Sequence, residues 1–482
     1  MNIRVISRNI SIALLFSAGF MFLSVIVSML YGFDSSFSPL LISSIFTFIV
    51  GIFPLIFVKK EKDITTKDGL AIILFSWVLS CIFGMIPYVL WGGEFTLMNA
   101  WFESVSGYTT TGATILTNVE ALPKGLLFWR SSTHFIGGLG VVVFIMLILP
   151  SYGSIKFRMS KMEVSDISRE NYKYKSNQLV RVVLYVYLGL TISLIFLLMF
   201  AGMPLFDAVN HAFSTVATGG FGIKNNSIAA YSSVAIEIIL MVYMVLSSLH
   251  FGLIYSSVVG KDLRLFKNPV TKFYLSTIVI CSLIVTANLL FSGTYDNLPT
   301  ALREAFFYVI SLNSSTGFAI SDTTVWPLFS LLIVSYLSIQ CGCSGSTSGG
   351  IKSDRVWLLL KATKSQLLKI VNPNAVVPVK FGNQIIDRDM VATTALFVVI
   401  YIFIMFICTL IYSVTGMELP DSFSASITLM GNVGPGFGTV GSMDNYSHIP
   451  LLAKFVMALE MIIGRLGVFS ALIIFTLFKR RS

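Results

Sequence analysis

The sequence has 482 residues, of which 55% are hydrophobic and only 12% charged, and its mean hydropathy is +0.84. Soluble domains normally carry about 25% charged residues, so this composition excludes an ordinary soluble protein. The formal net charge of +10 is gathered into clusters between apolar runs. Clusters of that kind favour a membrane topology set by Lys and Arg over a nucleic-acid-binding surface.

Several apolar runs are long enough to form helices that cross a bilayer, which needs about 20 apolar residues. The clearest runs are residues 10–32, 177–202, 232–259 and 390–415. The first run follows Arg4 and Arg8, but it is longer than the apolar core of a signal peptide and no small-residue cleavage site follows. We therefore expect a retained first helix and an integral membrane protein.

The basic clusters alternate with acidic or neutral segments along the chain. They lie at residues 59–67, 156–181, 261–272, 352–388 and 479–481. Because Lys and Arg stay on the cytoplasmic side during insertion, we expect these segments and both chain termini to be cytoplasmic.

Four short segments rich in Gly, Thr and Ser interrupt the apolar background at roughly 100-residue intervals, a spacing that indicates an internal repeat. The segments are 109–114, 216–221, 314–319 and 431–436. Aligning their central glycines pairs Gly112, Gly219, Gly317 and Gly434. An apolar span and a short amphipathic stretch precede each segment, and another apolar run follows. The repeated unit is therefore a helix, a half-helix, a polar extended segment and a second helix.

This unit predicts an all-α integral membrane protein with two leading helices and four helix–pore loop–helix repeats around a pseudo-fourfold central pore. We count ten full spans and four re-entrant loops. The predicted parts are 1–66 for the two N-terminal helices, 67–155, 156–262 and 263–372 for the first three repeats, and 373–482 for the fourth.

The four segments predict a cation pathway, because non-helical backbone survives at membrane depth only when it is buried in protein or lines a watery cavity. Four glycine-containing loops on one axis make a ring of carbonyls that replaces the hydration shell of a monovalent cation. No carboxylate lies in the central segments, which argues against a divalent ion. The alternative is that small residues only allow close helix packing, and four segments in register favour the pore. The predicted ion-binding residues are Thr110, Thr111, Gly112, Ala217, Thr218, Gly219, Ser315, Thr316, Gly317, Asn432, Val433 and Gly434.

Two further features lie in the third and fourth repeats. Residues 341–350 (CGCSGSTSGG) interrupt an apolar helix, and each Gly costs a helix interior up to about 1 kcal/mol, so we expect a break in mid-membrane. Arg465 is a cation within an apolar stretch, which makes it a functional-site hypothesis. The alternative is a structural arginine that caps loop carbonyls, and both roles are compatible.

No convergent nucleophile, base or metal motif is visible, so the sequence predicts neither an enzyme nor an organic cofactor. A secondary transporter that couples potassium to sodium or protons is the alternative. Inverted repeats and buried acids at the midplane are typical of that class, whereas these repeats run in parallel and no clear buried acid is visible.

Through the four filter motifs, Ser344–Lys352 and the Gly464-Arg465-Leu466 triplet, the sequence resembles the TrkH/KtrB/HKT superfamily of potassium transporters over essentially its whole length. It is most like the bacterial TrkH branch, because KtrB-type proteins generally lack two extra N-terminal helices. The resemblance implies K+ as the transported ion, and Gly rather than Ser in the first filter implies potassium preference. It also implies a gate made of an intramembrane loop and a pore arginine, namely Gly342, Gly345, Gly349, Gly350 and Arg465.

The same resemblance implies a multi-pass protein of the bacterial plasma (inner) membrane, a homodimer, and a separate cytoplasmic TrkA-type nucleotide-binding ring. The sequence departs from the family pattern after Arg465 and Leu466. Gly467 stands where an acidic residue is usual, so no salt bridge from that position is expected here.

Overall fold

The computed structural model describes residues 2–59, 65–148, 176–375, 377–381 and 384–472. In these ranges the chain is helical apart from loops, 3-10 turns and four two-residue strands. Residues 156–175 of the basic cluster predicted at 156–181, residues 60–64 of the cluster at 59–67, and the whole cluster 479–481 lie outside the described ranges. The predicted boundary between residues 155 and 156 does so as well.

Two leading helices, α1 (Ile3–Leu30) and α2 (Phe37–Phe57), pack against each other and against the first repeat. The Asp34 carboxylate fastens their connecting turn, because it accepts hydrogen bonds from Ser28 Oγ (2.6 Å) and from the backbone N–H of Gly125 (3.0 Å). The outer face of α2 exposes side chains such as Phe46 and Phe53. Apolar surface of this extent suits contact with lipid.

The first two repeats follow the predicted order of elements. The first consists of α3 (Thr66–Gly84), α4 (Ile86–Trp91), α5 (Leu97–Tyr108), a 3-10 turn (Val119–Ala121) and α6 (Lys124–Ile148). The second consists of α7 (Ser176–Phe200), α8 (Leu205–Val216), a 3-10 turn (Ser227–Tyr231), α9 (Val234–Ser248) and α10 (Phe251–Gly260).

The last two repeats add short strands to this order. The third consists of α11 (Arg264–Lys267), α12 (Pro269–Phe291), α13 (Leu298–Asn313), a 3-10 turn (Thr323–Val325), α14 (Leu328–Ile339), β1 (Gln340–Cys341), β2 (Ile351–Lys352) and α15 (Ser353–Val371). The fourth consists of β3 (Lys380–Phe381), β4 (Gln384–Ile385), α16 (Arg388–Val414), α17 (Leu419–Met430), a 3-10 turn (Gly438–Val440), α18 (Leu451–Leu466) and α19 (Val468–Leu472). Strands β1 and β2 pair in parallel, and β3 and β4 pair antiparallel.

Among the described residues, six helices are long and apolar enough to cross a membrane, and a bent pair brings the number to seven. The expected ten full spans stay a prediction. Two further helices fall short by length, because α14 ends after 12 residues and α18 after 16. Both helices end beside the loop segments described below.

The run 232–259 is not one continuous helix as predicted, because α9 and α10 are bent by 103° at residues 249 and 250. His250 accounts for the new helix start, since its Nδ1 accepts a hydrogen bond from the Gly252 N–H at 3.0 Å. Ser, His and Gly within residues 247–252 favour caps and breaks over helix interiors. This composition could have indicated the break, but the apolar residues on either side favoured one continuous helix.

The short helices α5, α8, α13 and α17 occupy the centre of the protein. In α17, for example, every residue from Ser424 to Met430 is buried. The long helices surround them, and α16 turns Phe403 and Phe406 outward. The all-α membrane fold of repeated helix–loop–helix units is therefore confirmed, and the loops that follow the short helices lie in its core.

Candidate functional site

The four short helices end in the same way. The second residue after each helix has a left-handed backbone conformation, with φ of 52° at Thr110, 54° at Thr218, 59° at Ser315 and 52° at Asn432. The next N–H then donates to the carbonyl five residues earlier, as between Thr111 and Ser106 (2.9 Å) or Gly219 and Ser214 (2.8 Å). The same bond recurs between Thr316 and Ser311 and between Val433 and Thr428, each at 2.8 Å. This is a helix C-cap that leaves the chain by a left-handed residue, built four times.

A glycine with positive φ comes two residues later in every loop. The φ values are 83° at Gly112, 85° at Gly220, 77° at Gly317 and 99° at Gly434. The predicted alignment of Gly219 with the other three is therefore wrong by one residue. Two adjacent glycines made the register ambiguous in the sequence, and the capping geometry decides it. The matching second-loop residues are Thr218, Gly219 and Gly220, whereas Ala217 is the right-handed cap residue of α8.

These four glycines bring the loops together in a closed ring. A side chain on Gly112 would overlap the carbonyl oxygen of Gly219, and one on Gly220 would overlap that of Thr316. In the same way Gly317 faces the Val433 carbonyl, and Gly434 faces the Thr111 carbonyl. Each loop thus contacts the next, and the fourth contacts the first. Glycine is required here both for its positive φ and for the close approach of a neighbouring backbone.

The ring favours positive charge. The C-terminal ends of α5, α8, α13 and α17 all meet at it, and each helix C-terminus carries roughly −0.5 of an elementary charge. The left-handed residues Thr110, Thr218, Ser315 and Asn432 are all fully buried. The ring therefore attracts cations through partial negative charges and oxygen atoms, and its four loop segments contain no formally charged residue.

A buried ion pair supports the first two loops. Glu103 on α5 pairs with Arg130 on α6 at 2.6 Å, and both side chains are buried. Glu103 also accepts the Ile115 N–H (3.0 Å), and Arg130 donates to the Gly222 carbonyl (2.8 Å) while lying over the Phe221 ring. The pair fixes the return paths of both loops.

Residues 340–352, called the intramembrane segment below, form the predicted interruption of the third repeat. Helix α14 ends at Ile339, and the segment closes on itself where Gln340 pairs with Ile351. The segment fills the bend between α9 and α10, since the Cys343 N–H donates to Ser248 O (2.8 Å) and the Phe251 N–H donates to Gly345 O (3.1 Å). The break and the bend therefore occur at one place and stabilise each other.

The four glycines predicted in this segment are all closely packed. Gly345 and Gly350 have positive φ of 78° and 60°. A side chain on Gly342 would meet Ser248, and one on Gly349 would overlap the Gly431 carbonyl at the end of α17. The segment therefore lies directly against the ends of the short helices.

Arg465 on α18 binds the intramembrane segment. Its Nη1 donates to the Thr347 carbonyl (2.7 Å) and its Nη2 to the Gly137 carbonyl of α6 (3.2 Å). The carbonyl-capping role left open by the sequence thus has a geometric basis. Next to it, Gly467 has φ of 79° and ends α18 before α19 begins, so this departure from the family pattern terminates a helix.

Residues 38–480 match the family model TrkH, described as cation transport protein. The chain is 30% identical over 99% of both sequences to the Trk system potassium uptake protein TrkH of Salmonella typhimurium, and 31% identical to that of Escherichia coli over 87% of both. The crystal structure of the potassium transporter TrkH from Vibrio parahaemolyticus superposes with a TM-score of 0.90, at 28% identity, over 99% of this chain and 100% of that one.

The chain belongs to the TrkH cation transport family. The resemblance expected from the sequence is confirmed, and the family is one of transporters, not enzymes. The chain is accordingly a multi-pass membrane protein.

Sequence reasoning missed several charged residues inside this TrkH family member, among them the Glu103–Arg130 pair described above, Glu460 and Lys352. Glu460 on α18 is fully buried and accepts hydrogen bonds from Ser426 Oγ (2.6 Å) and from the Tyr412 hydroxyl. A buried acid, of which no clear sign is visible in the sequence, is therefore present. Lys352 at the end of the intramembrane segment donates to the Ser348 carbonyl. In the sequence Glu460 is an isolated charge in an apolar run, and Lys352 begins a basic cluster after the glycine-rich segment, but only the fold shows their contacts.

Proposed function

We propose that the chain takes up potassium across the bacterial plasma membrane through the ring of four loops. The observation that carries this proposal is the closed contact of each loop with the next. Backbone carbonyls of Thr111, Gly219, Thr316 and Val433 replace the hydration shell of the ion, as in other potassium filters. Relatives at about 30% identity are named potassium uptake proteins, which supports K+ as the transported ion.

The intramembrane segment gates this pathway. It lies against the ends of the short helices and carries Lys352, and Arg465 holds it in place. Positive charge at this point opposes the passage of cations. Conduction therefore requires the segment and the Arg465 guanidinium to move aside together.

The partners follow from the Trk system to which the relatives belong. The chain forms a homodimer, and a separate TrkA-type nucleotide-binding ring acts on its cytoplasmic face. Both termini are cytoplasmic, in agreement with the positions of the basic clusters in the sequence.

The test is cation flux in proteoliposomes with K+, Rb+, Na+ and Li+, for the wild type and Gly112→Ser. A side chain at Gly112 is strained by its φ of 83° and overlaps the Gly219 carbonyl, so the variant loses K+ and Rb+ selectivity. Gly189→Ser is the matched control, because no atom lies within 4 Å of a side chain at that helical glycine. Equal wild-type flux of all four ions would remove the potassium assignment.

Glu460 favours one second candidate, uptake of potassium coupled to protons or sodium. A buried acid among hydroxyl groups is a feature of coupled transporters. Under this candidate an imposed proton or sodium gradient drives K+ uptake, and Glu460→Gln abolishes the coupling. Uptake that follows the K+ gradient alone in both proteins would leave Glu460 with a structural role.

A further inference from the structure

The side chain of Ser315 bonds the third filter loop to the intramembrane segment. Its Oγ accepts a hydrogen bond from the Gly349 N–H at 2.8 Å and lies 3.1 Å from Ser348 Oγ. Ser315 is the left-handed residue after α13 and is fully buried. One hydroxyl therefore connects the proposed filter to the proposed gate.

The equivalent residues of the other loops make different contacts. The Thr218 hydroxyl donates to the Ala217 carbonyl of its own loop at 2.6 Å. The Asn432 amide donates to Thr111 Oγ1 (3.0 Å) and to the Met461 carbonyl of α18 (2.9 Å). For Thr110 Oγ1 the described residues provide no hydrogen-bond partner. Within the described ranges, these four positions thus share a backbone conformation, and Ser315 alone among them hydrogen-bonds to the segment.

Thr347 and Ser348 of the segment make further hydrogen bonds, to other helices and within the segment. Thr347 Oγ1 donates to the Val216 carbonyl at the end of α8 (2.9 Å), and Arg465 holds the Thr347 carbonyl. Ser348 Oγ also accepts the Gly342 N–H at 3.0 Å. Residues 347–349 cannot leave this position without breaking the bonds to Ser315, because those bonds are made by Ser348 and Gly349 themselves.

Resting on the proposed function, we infer that Ser315 is a positioning residue that couples the gate to the filter. When the segment leaves, the third loop loses the two bonds that fix the Ser315 side chain. The Thr316 carbonyl follows Ser315 directly in the chain and faces Gly220 of the second loop. The geometry of the ring, and with it the choice between K+ and Na+, therefore depends on whether the segment is in place.

The experiment measures K+ and Na+ flux of the full chain in proteoliposomes for Ser315→Ala, Ser348→Ala and the double variant. A hydrogen bond of ordinary strength corresponds to about a fivefold change in an equilibrium. Ser348→Ala raises K+ flux by about that factor, because the closed position is weakened. Ser315→Ala raises K+ flux at least as much and also lowers the K+/Na+ ratio. The double variant raises K+ flux by less than the product of the two single effects, since both changes remove the Ser315–Ser348 hydrogen bond, and Ser315→Thr keeps the wild-type values.

Thr218→Ala is the comparison variant, because this equivalent position is not bonded to the segment. When Thr218→Ala is combined with Ser348→Ala, the change in K+ flux is therefore the product of the two single changes. If Ser315→Ala fails to fold, two other results test the coupling. They are an increase in K+ flux in Ser348→Ala, and a wild-type K+ flux and K+/Na+ ratio in Ser315→Thr. Wild-type flux and selectivity in Ser315→Ala, or a double variant equal to the product of the single effects, would overturn the coupling alone. Absence of selective flux in the wild type would instead overturn the proposed function.

Discussion

The ring of four loops and the intramembrane segment are both built from Gly, Ser and Thr, yet they are stabilised in different ways. The ring repeats one backbone motif four times, and its members meet through glycines whose Cα atoms face neighbouring carbonyls. The segment occurs once in the described residues. It shares close glycine packing with the ring, but side-chain bonds of Ser315, Thr347 and Arg465 also hold it. Backbone contacts of the first kind leave no room for adjustment, whereas individual hydrogen bonds are worth about 1 kcal/mol each. The difference separates a part that must keep its shape from a part that can move.

The largest expected effect comes from Gly220→Ala, which breaks the ring at its corrected register. An alanine there is strained at φ of 85° and overlaps the Thr316 carbonyl, a backbone atom of the third loop that cannot turn away. We expect loss of selective K+ flux by at least about tenfold, equivalent to 1.4 kcal/mol or more, on the scale of the left-handed penalty for non-glycine residues. Rb+ flux and Na+ flux in proteoliposomes measure this loss of selective flux.

Gly219→Ala is the control for that register. Its side chain would meet the imidazole of His134, a side chain, and its φ is not positive. We expect a smaller loss of selective K+ flux than in Gly220→Ala. The opposite order of the two variants would restore the alignment first predicted from the sequence.

An intermediate effect is expected from Arg465→Gln, which loosens the segment without changing a residue of the ring. The change removes the charge-assisted bond to the Thr347 carbonyl and the contact with the Gly137 carbonyl. Hydrogen bonds to charged groups contribute about 1.5–3 kcal/mol, so basal K+ flux rises by about tenfold or more. The K+/Na+ ratio stays closer to that of the wild type than in Gly220→Ala. A fall in K+ flux would indicate that Arg465 supports conduction.

The smallest expected effect concerns Asp444, in the loop that joins the ring to α18. Burial and the negative charge of Asp322 raise the pKa of Asp444 above its usual range. This loop contacts the ring, because the Tyr446 hydroxyl donates to the Gly434 carbonyl at 2.8 Å. As the pH falls from about 7 to about 5, Asp444 takes up a proton before an ordinary aspartate does. The local attraction for cations then weakens.

We therefore expect K+ uptake at low K+ concentration to fall modestly over that pH interval. The decrease is smaller in Asp444→Asn, because the neutral side chain has no charge to lose. Uptake rates measured at several K+ concentrations and pH values test this. An equal pH dependence in both proteins would show that other groups are responsible.

The sequence predicted much of this architecture because the repeat signal is strong. Glycine clusters at regular intervals, each after a short amphipathic stretch, indicated the four loops. The Gly and Ser residues within an apolar helix indicated the break at residues 341–350. The register of the second loop was not predictable, since Gly219 and Gly220 are both glycines and only the cap geometry after α8 distinguishes them. The bend at His250 had only a weak local signal, and the burial of Glu460 depends on tertiary packing, which a local composition does not contain.

The central claim is that a potassium-like ion binds inside the ring of four loops. The most direct measurement is an anomalous difference map from crystals of the protein grown with Rb+. We expect density enclosed by the Thr111, Gly219, Thr316 and Val433 carbonyls, reduced in crystals of Gly112→Ser. Density beside Glu460, with none inside the ring, would contradict it.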